Sequence, residues 1–443
     1  KPMKMILDFT IPVFIGNVFQ QFYNMADAII VGKFVGTKGL AAVGSTGTIM
    51  FLIIGFLTGL TAGFTVLTSQ KFGAGKMDEM RQSVGNAALL SIIISVIMTA
   101  VSMVGMHSLL TLMHTPEDIF QDAYTYIMII CGGIFAQVLY NILASILRAL
   151  GNSKTPLYFL ILAALLNIVL DLAFIIVFHM GVAGAAWATI TAQGVSGVLC
   201  LIYIIKYVPE LRLKADDWRF RSEVAKKEIL VGIPMGLQYS ITAIGSVVLQ
   251  GAVNGLGSDI VAAQTAGSKA AQFLCVPLES IGTAMTTYAS QNMGAKDLDR
   301  VDRGVHTALG IGCVYSVASF LILRVLDKPL IGLFLDAGET TIMANAQDFL
   351  FWNSVFYIPL AVLIIYRYTI QGLGHSGLAM FAGVAEMIAR AMVGFWFVPL
   401  WGYFAACIAN PVAWFFACFF LIPAYIVVFR KLKQEKARPH ANL

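Results

Sequence analysis

The chain has 443 residues, a length that would make about three soluble domains, yet 58% of it is hydrophobic and only 12% charged. That composition excludes a soluble globular protein. The net charge of +5 does not point to nucleic acid, because no basic stripe alternates with stacking aromatics.

Apolar runs long enough for a bilayer core of about 30 Å, which takes roughly 20 helical residues, recur along nearly the whole chain. The expected spans are 6–31, 46–69, 83–106, 122–147, 157–178, 182–205, 229–253, 260–289, 305–326, 346–370, 378–400 and 403–429. They lack the polar–apolar alternation of barrel strands. The predicted fold class is therefore an all-α polytopic membrane protein of about twelve transmembrane helices. The first span runs on into Gln20, Gln21 and Asn24 rather than a small-residue cleavage site, so it is not expected to be a signal peptide.

Connections alternate in charge. With an even helix count, 22 of the 29 lysines and arginines fall on one side, whereas the other carries Lys33, Lys38 and Lys328 with Arg324 nearby. Cytoplasmic loops retain an excess of Lys and Arg, so both termini are predicted to be cytoplasmic, in the inner or plasma membrane. Cys131, Cys200, Cys275, Cys313, Cys407 and Cys418 all fall in apolar segments without a C-x-x-C pair, and read as packing residues.

The longest hydrophilic stretch divides the chain near its middle. The expected organisation is an N-lobe over 1–209, a cytoplasmic linker over 210–227, a C-lobe over 228–430 and a basic tail over 431–443. The two halves repeat at an offset of about 222. Ile11-Pro12 returns as Ile233-Pro234, Gln70 to Ala74 as Gln291 to Ala295, and Leu150-Gly151-Asn152-Ser153 as Leu373-Gly374-His375-Ser376. Six helices per repeat make parallel repeats about an axis along the membrane normal, an arrangement suited to alternating access by rocking. Gly55, Gly59 and Gly63 form a double G-x-x-x-G, read as close helix packing. Pro12 and Pro234 fall near the inner ends of equivalent helices, where they would set the helix start or bend it.

Ionisable residues at the centre of a membrane helix cost roughly 2.5–3.5 kcal/mol on insertion scales. The first half carries two deep carboxylates, Asp27 on the first span and Asp171 on the fifth. Asn167 and Asp171 are four apart and share a helical face. Thr189 on the sixth span lies at a compatible depth, and Tyr126 on the fourth adds a hydroxyl able to hydrogen-bond a carboxylate. This oxygen-rich set suits Na⁺, and two adjacent carboxylates can equally hold a proton. Gln20, Gln21, Tyr23 and Asn24 precede Asp27; Gln20 and Asn24 are candidates to face substrate.

These features together resemble the multidrug and toxic compound extrusion (MATE) family over essentially the full length. The resemblance rests on the two-lobe repeat, Ile11-Pro12, Asn24-Met25-Ala26-Asp27 running into Val31-Gly32, Gln70 to Lys76, and Leu147 to Ser153. It implies a secondary active antiporter that exports cationic or amphipathic organic compounds in exchange for H⁺ or Na⁺. Asp27 would be the central coupling residue, and Asn167, Asp171, Thr189 and Tyr126 would complete the cation site. Asp27, Asn167, Asp171 and Thr189 would be the metal ligands if the ion is Na⁺. Beyond the coupling ion no cofactor is expected. Expected partners are small organic cations, amphiphilic drugs and membrane lipids, with no nucleic acid, and the chain is expected to be a monomer.

The second half departs from this pattern. The repeat offset puts no carboxylate opposite Asp27 or Asp171, which resembles the DinF-like branch. Lys269, Glu279, Arg367, Glu386 and Arg390 lie there instead. Glu386 and Arg390 are four apart and expected to pair; Glu279 and Glu386 are also candidates for substrate binding. An enzyme is not expected: the chain has no G-x-x-x-x-G-K-[ST] loop, and its six histidines show no metal-ligand spacing. The alternative function is a lipid or lipid-linked oligosaccharide flippase of the same superfamily, whose cleft would need basic residues.

Overall fold

The computed structural model describes residues 1–335 and 338–438, and among them every regular element is a helix. The first half comprises α1 (Pro2–Ile30), the short α2 (Thr37–Ser45), α3 (Gly47–Gly73), α4 (Met77–Leu112), α5 (Glu117–Gly132), α6 (Ile134–Ala149), α7 (Lys154–Leu172) and α8 (Val182–Tyr207). The second comprises α9 (Ser222–Asn254), α10 (Ser258–Gly294), α11 (Leu298–Ile331), α12 (Thr340–Val355), α13 (Tyr357–Gly372), α14 (Ser376–Met392), α15 (Val398–Trp401) and α16 (Tyr403–Ala437). Wide π-helical turns extend α1, α7 and α14 at Val31–Val35, Ala173–Val177 and Val393–Phe397.

Among the described residues nine helices, counting those extended by wide turns, are long and apolar enough to span a bilayer. Two further pairs, α5 with α6 and α12 with α13, qualify together but bend by 48° and 54°. That makes a multi-pass membrane protein. Large apolar side chains face outward, with Val104 85% and Phe419 77% exposed, a surface suited to lipid rather than water. The bends have local causes. Gly133 separates α5 from α6, and a Cβ there would come within 2.3 Å of Ile190. Pro359, in the first turn of α13, brings no N–H to continue the ladder across Phe356. The remaining expected span, 260–289, is α10; at 37 residues it is long enough, but it is too polar to meet the same test.

The repeat is written in the backbone. Left-handed or related positive φ values recur at an offset of about 221: Gly36 and Gly257 (108° and 107°), Gly151 and Gly374 (85° and 86°), Gly181 and Gly402 (65° and 63°). Gly75, at 73°, corresponds to Lys296, at 58°, so the second half holds a lysine where the left-handed turn favours glycine. The π turns after α7 and α14 match as well.

The chain forms two compact units, residues 12–236 and residues 1–11 with 237–443. Their boundaries fall inside α1 and α9, beside Pro12 and Pro234, not at the hydrophilic linker. Both prolines lie inside their helices, so they do not set the helix starts. The expected linker packs into the first unit. Asp217 is 6% exposed and accepts from Lys214 N at 2.8 Å, and Asn86 Oδ1 accepts from Arg221 N at 2.9 Å. Glu228, wholly buried, accepts from Ser83 Oγ at 2.8 Å, which ties the start of α9 to α4. The expected tail is no tail through Ala437, where α16 ends; residues 439–443 lie outside the described residues.

Within the first unit, α8 packs on α7, α6 and α5, and α3 packs on α6. Glycines on α3 let the first turns of α9 approach at backbone distance. A Cβ on Gly63 would meet Gly232 Cα at 2.4 Å, and one on Gly59 would meet Met235 O at 2.5 Å. Gly63→Ala should therefore destabilise the protein by about 1–3 kcal/mol, because both helices are backbone at the contact and must separate. Thermal unfolding in detergent reads this directly, and an unchanged midpoint would contradict the close packing. In the second unit α10 packs on α12 and α13, and α14 on α16.

Candidate functional site

The candidate site of the first unit is built by α1, α7 and α8. Gln20, Tyr23, Asn24 and Asp27 follow a three-to-four-residue spacing and so occupy one side of α1. Asn167 and Asp171 occupy one face of α7, just before its chain widens into the Ala173–Val177 turn, a type of irregularity frequent at functional sites. Thr189 projects from the second turn of α8.

These groups meet. Asp171 is fully buried and Asn167 is 3% exposed. Asn167 Nδ2 donates to Thr189 Oγ1 at 3.2 Å, and Thr189 Oγ1 donates to Ala185 O at 3.1 Å. The Asp27 carboxyl lies within hydrogen-bonding range of the Asp171 carboxyl. Yet Asp27 Oδ1, both Asp171 oxygens and Asn167 Oδ1 are buried with no donor among the described residues. Two ionised carboxylates can only accept, so the acid pair forms a bond only when a proton is shared or a cation joins them. Buried polar atoms are normally satisfied, which makes four orphaned oxygens in one place a feature requiring explanation.

Tyr126, 3% exposed, lies within electrostatic reach of both acids but donates to neither. Gln20 and Asn24 are exposed on α1. Of two further participants, Tyr23 was named from sequence only among the polar residues preceding Asp27, and Gln193 was not singled out. The Tyr23 hydroxyl lies within hydrogen-bonding range of Gln20 and of Gln193, which is 7% exposed. Their signal was available, since each is four residues from a recognised group, Asp27 and Thr189. His, Cys, Asp and Glu form no cluster of three or more suited to a metal among the described residues. Any cation here would rely on oxygens of mixed kind, a donor set that fits a hard monovalent ion.

In the second unit the expected Glu386–Arg390 pair forms, with Arg390 Nη1 donating to Glu386 Oε2 at 3.4 Å. Arg367 holds the other oxygen of Glu386, and the three residues are 3–6% exposed. Arg390 Nε also donates to Asn410 Oδ1 at 3.1 Å. Oriented to pair donors with acceptors, the Gln238 amide oxygen accepts from Arg367 Nε at 3.2 Å. Glu386 is therefore buried and spent on two arginines, and does not present itself as a substrate contact. Glu279 is exposed and accepts from Tyr368 OH at 2.8 Å.

An all-helical, multi-pass membrane protein with a twofold internal repeat, one half of which brings two acids together, has the build of a membrane transporter. The sequence model of the MatE family matches residues 12–173 and again 234–396, once in each half. The chain belongs to the MATE family and is a membrane transporter of the multidrug-efflux type. A probable multidrug resistance protein of Bacillus subtilis strain 168, YpnP, is 30% identical over 412 residues, 92% of this chain and 89% of that protein. A second from the same organism, YoeA, is 25% identical over 346 residues, 76% of this chain and 74% of that one. The fold matches the outward-facing conformation of a multidrug resistance MATE family transporter of the MOP superfamily. The TM-score is 0.92 at 23% identity, over 98% of this chain and 97% of that one.

Proposed function

We propose that this protein is an antiporter that exports cationic or amphipathic organic compounds by alternating access, driven by inward movement of H⁺ or Na⁺. The observation that carries this reading is the set of orphaned buried oxygens on Asp27, Asp171 and Asn167. A cation or proton supplies what those oxygens lack, and its departure restores a repulsive, desolvated pair. Binding therefore changes the free energy of any state that opens or closes the site, which is the requirement for coupling. Thr189 orients Asn167 through their hydrogen bond, and Tyr23, Gln193 and Tyr126 surround the acids with polar groups. The charge bias of the connections supports cytoplasmic termini in the inner or plasma membrane, and the chain acts as a monomer in lipid.

Purified protein in proteoliposomes, loaded with a fluorescent organic cation, tests this. Flux against the cation's own gradient should appear on imposing a Na⁺ gradient at fixed pH, or a pH gradient without Na⁺, and whichever works identifies the ion. Equal flux with neither gradient present would overturn the antiport reading.

A further inference from the structure

The one expected span too polar for the bilayer test, α10, carries its polar residues in register. Gln264, Ser268 and Gln272 form one row at four-residue spacing, and Thr265 and Lys269 form the next. Together with Gln250 from α9 they line a cavity of about 390 Å³ within the second unit. No carboxylate lines it. Gln264 is 7% exposed, and its amide oxygen has no partner among the described residues. Lys269 forms no ion pair among the described residues; its ammonium stands 5.9 Å from the centre of the Phe334 ring, a contact that steadies the charge without neutralising it. Lys269 is exposed and lies about 17 Å along α10 from Ser258, inside the expected span 260–289.

The repeat does not account for this cavity. At the offset of about 221, its six positions correspond to Ile29, Val43, Gly44, Gly47, Thr48 and Phe51, none of them charged. Packing in the fold was achieved in the first half with apolar and small residues, so the polar set in the second half serves something other than packing. An unneutralised lysine inside a membrane protein marks a functional site by default. The chemistry of the lining is specific: although Thr265 Oγ1 donates to Val261 O and Gln250 Nε2 to Asn254 Oδ1, the ammonium, the Ser268 hydroxyl and the remaining amide N–H groups offer donors and one full positive charge, which suits an oxyanion and repels a second cation.

We propose that this cavity binds the anionic end, a carboxylate or a phosphate, of an amphipathic molecule, with Lys269 as the charge partner and Gln250, Gln264 and Gln272 completing the hydrogen bonds. The unpartnered Gln264 oxygen, which can only accept, takes a hydrogen bond from a ligand hydroxyl such as a P–OH, while Lys269 and the amide nitrogens face the anionic oxygens. This extends the proposed function, and rests on that reading only in taking the ligand to be a transported amphiphile. The first unit would handle the cation and the second the acidic part of the cargo. Zwitterionic and anionic amphiphiles thus fall within the protein's range.

The test is binding, independent of transport. Full-length protein in a neutral maltoside detergent is titrated with dodecyl phosphate, with inorganic phosphate and with dodecyltrimethylammonium, read by calorimetry. Lys269→Gln should weaken dodecyl phosphate by roughly 10- to 100-fold and leave dodecyltrimethylammonium unchanged, while Lys269→Arg keeps most of the affinity. Gln264→Leu should weaken dodecyl phosphate as well. Asp171→Asn, which would end coupled transport, should not alter this binding, so failure here and failure of the antiport reading are distinguishable. Nanodiscs separate the sources of the anion: displacement of the probe by phosphatidylglycerol but not phosphatidylcholine assigns the site to a lipid headgroup, and displacement by neither assigns it to a soluble amphiphile. Equal dodecyl phosphate affinity in wild type, Lys269→Gln and Gln264→Leu would overturn the proposal, as would no binding in the wild type.

Discussion

Asp27→Asn and Asp171→Asn should each end gradient-driven export, lowering flux in proteoliposomes by about 100-fold or more, while raising rather than lowering the melting temperature. The first half of this expectation follows from coupling. A driving ion shifts an equilibrium only by its differential affinity for the two states, and an amide in place of either carboxylate removes the charge on which that difference depends. The second half follows from the geometry. The two carboxyl groups face each other with buried, donorless oxygens, so the uncharged replacement relieves both desolvation and repulsion and adds an N–H₂ donor to the pair. A gain on the order of 1 kcal/mol would appear as about 1–2 °C in a chain of this length. The stability arm separates a coupling site from a structural anchor. If the acids merely fasten α1 to α7, the variants should melt earlier; a variant that melts earlier and exports normally would sink the assignment.

Glu386→Leu should destabilise the protein by about 3–5 kcal/mol, enough to deplete the folded fraction in detergent. Removing this carboxylate leaves Arg367 and Arg390 buried side by side, 6% exposed each, with no anion between them. The damage comes from the orphaned charges and not from the lost attraction. A triple variant, Arg367→Met with Glu386→Leu and Arg390→Met, should thus recover most of the stability, since replacing a whole buried ion cluster by apolar groups is commonly neutral or better. Chemical denaturation of the three proteins in one detergent measures this. A triple variant no more stable than Glu386→Leu alone would show that the cluster's hydrogen bonds to Gln238 and Asn410, rather than its charge balance, carry the effect.

Much of the fold could be read from residue order because lipid is an unforgiving solvent. Backbone groups in hydrocarbon must be satisfied within their own segment, so a run of about 20 apolar residues has essentially one outcome, a helix. The twofold repeat was equally open to view, since paired motifs such as Leu150-Gly151 and Leu373-Gly374 mark equivalent turns whose φ values agree within a degree. Other features were hidden. Gly133 and Phe356 are ordinary residues in apolar runs, and the bends there arise from what they press against and from Pro359 three residues on. The spacing of Asn167 and Asp171 put both on one face, but nothing in α1 and α7 taken separately states that Asp27 reaches Asp171. The hydrophilic stretch between the halves reads as a free connector; only the contacts of Arg221 and Glu228 with Asn86 and Ser83 of α4 show that it is packed.

What the sequence determined alone is the helical, membrane-embedded character, the internal repeat and the lack of a second-half counterpart to Asp27 or Asp171, because hydropathy and residue identity are local properties. Tertiary structure decided where the units divide, beside Pro12 and Pro234 within continuous helices, which polar groups meet, and which are left unsatisfied. Those are properties of distances between segments far apart in the chain. The same physics separates Glu386, consumed by two arginines, from Asp27 Oδ1 and the two Asp171 oxygens, which find no donor among the described residues: identical carboxyl chemistry in opposite surroundings.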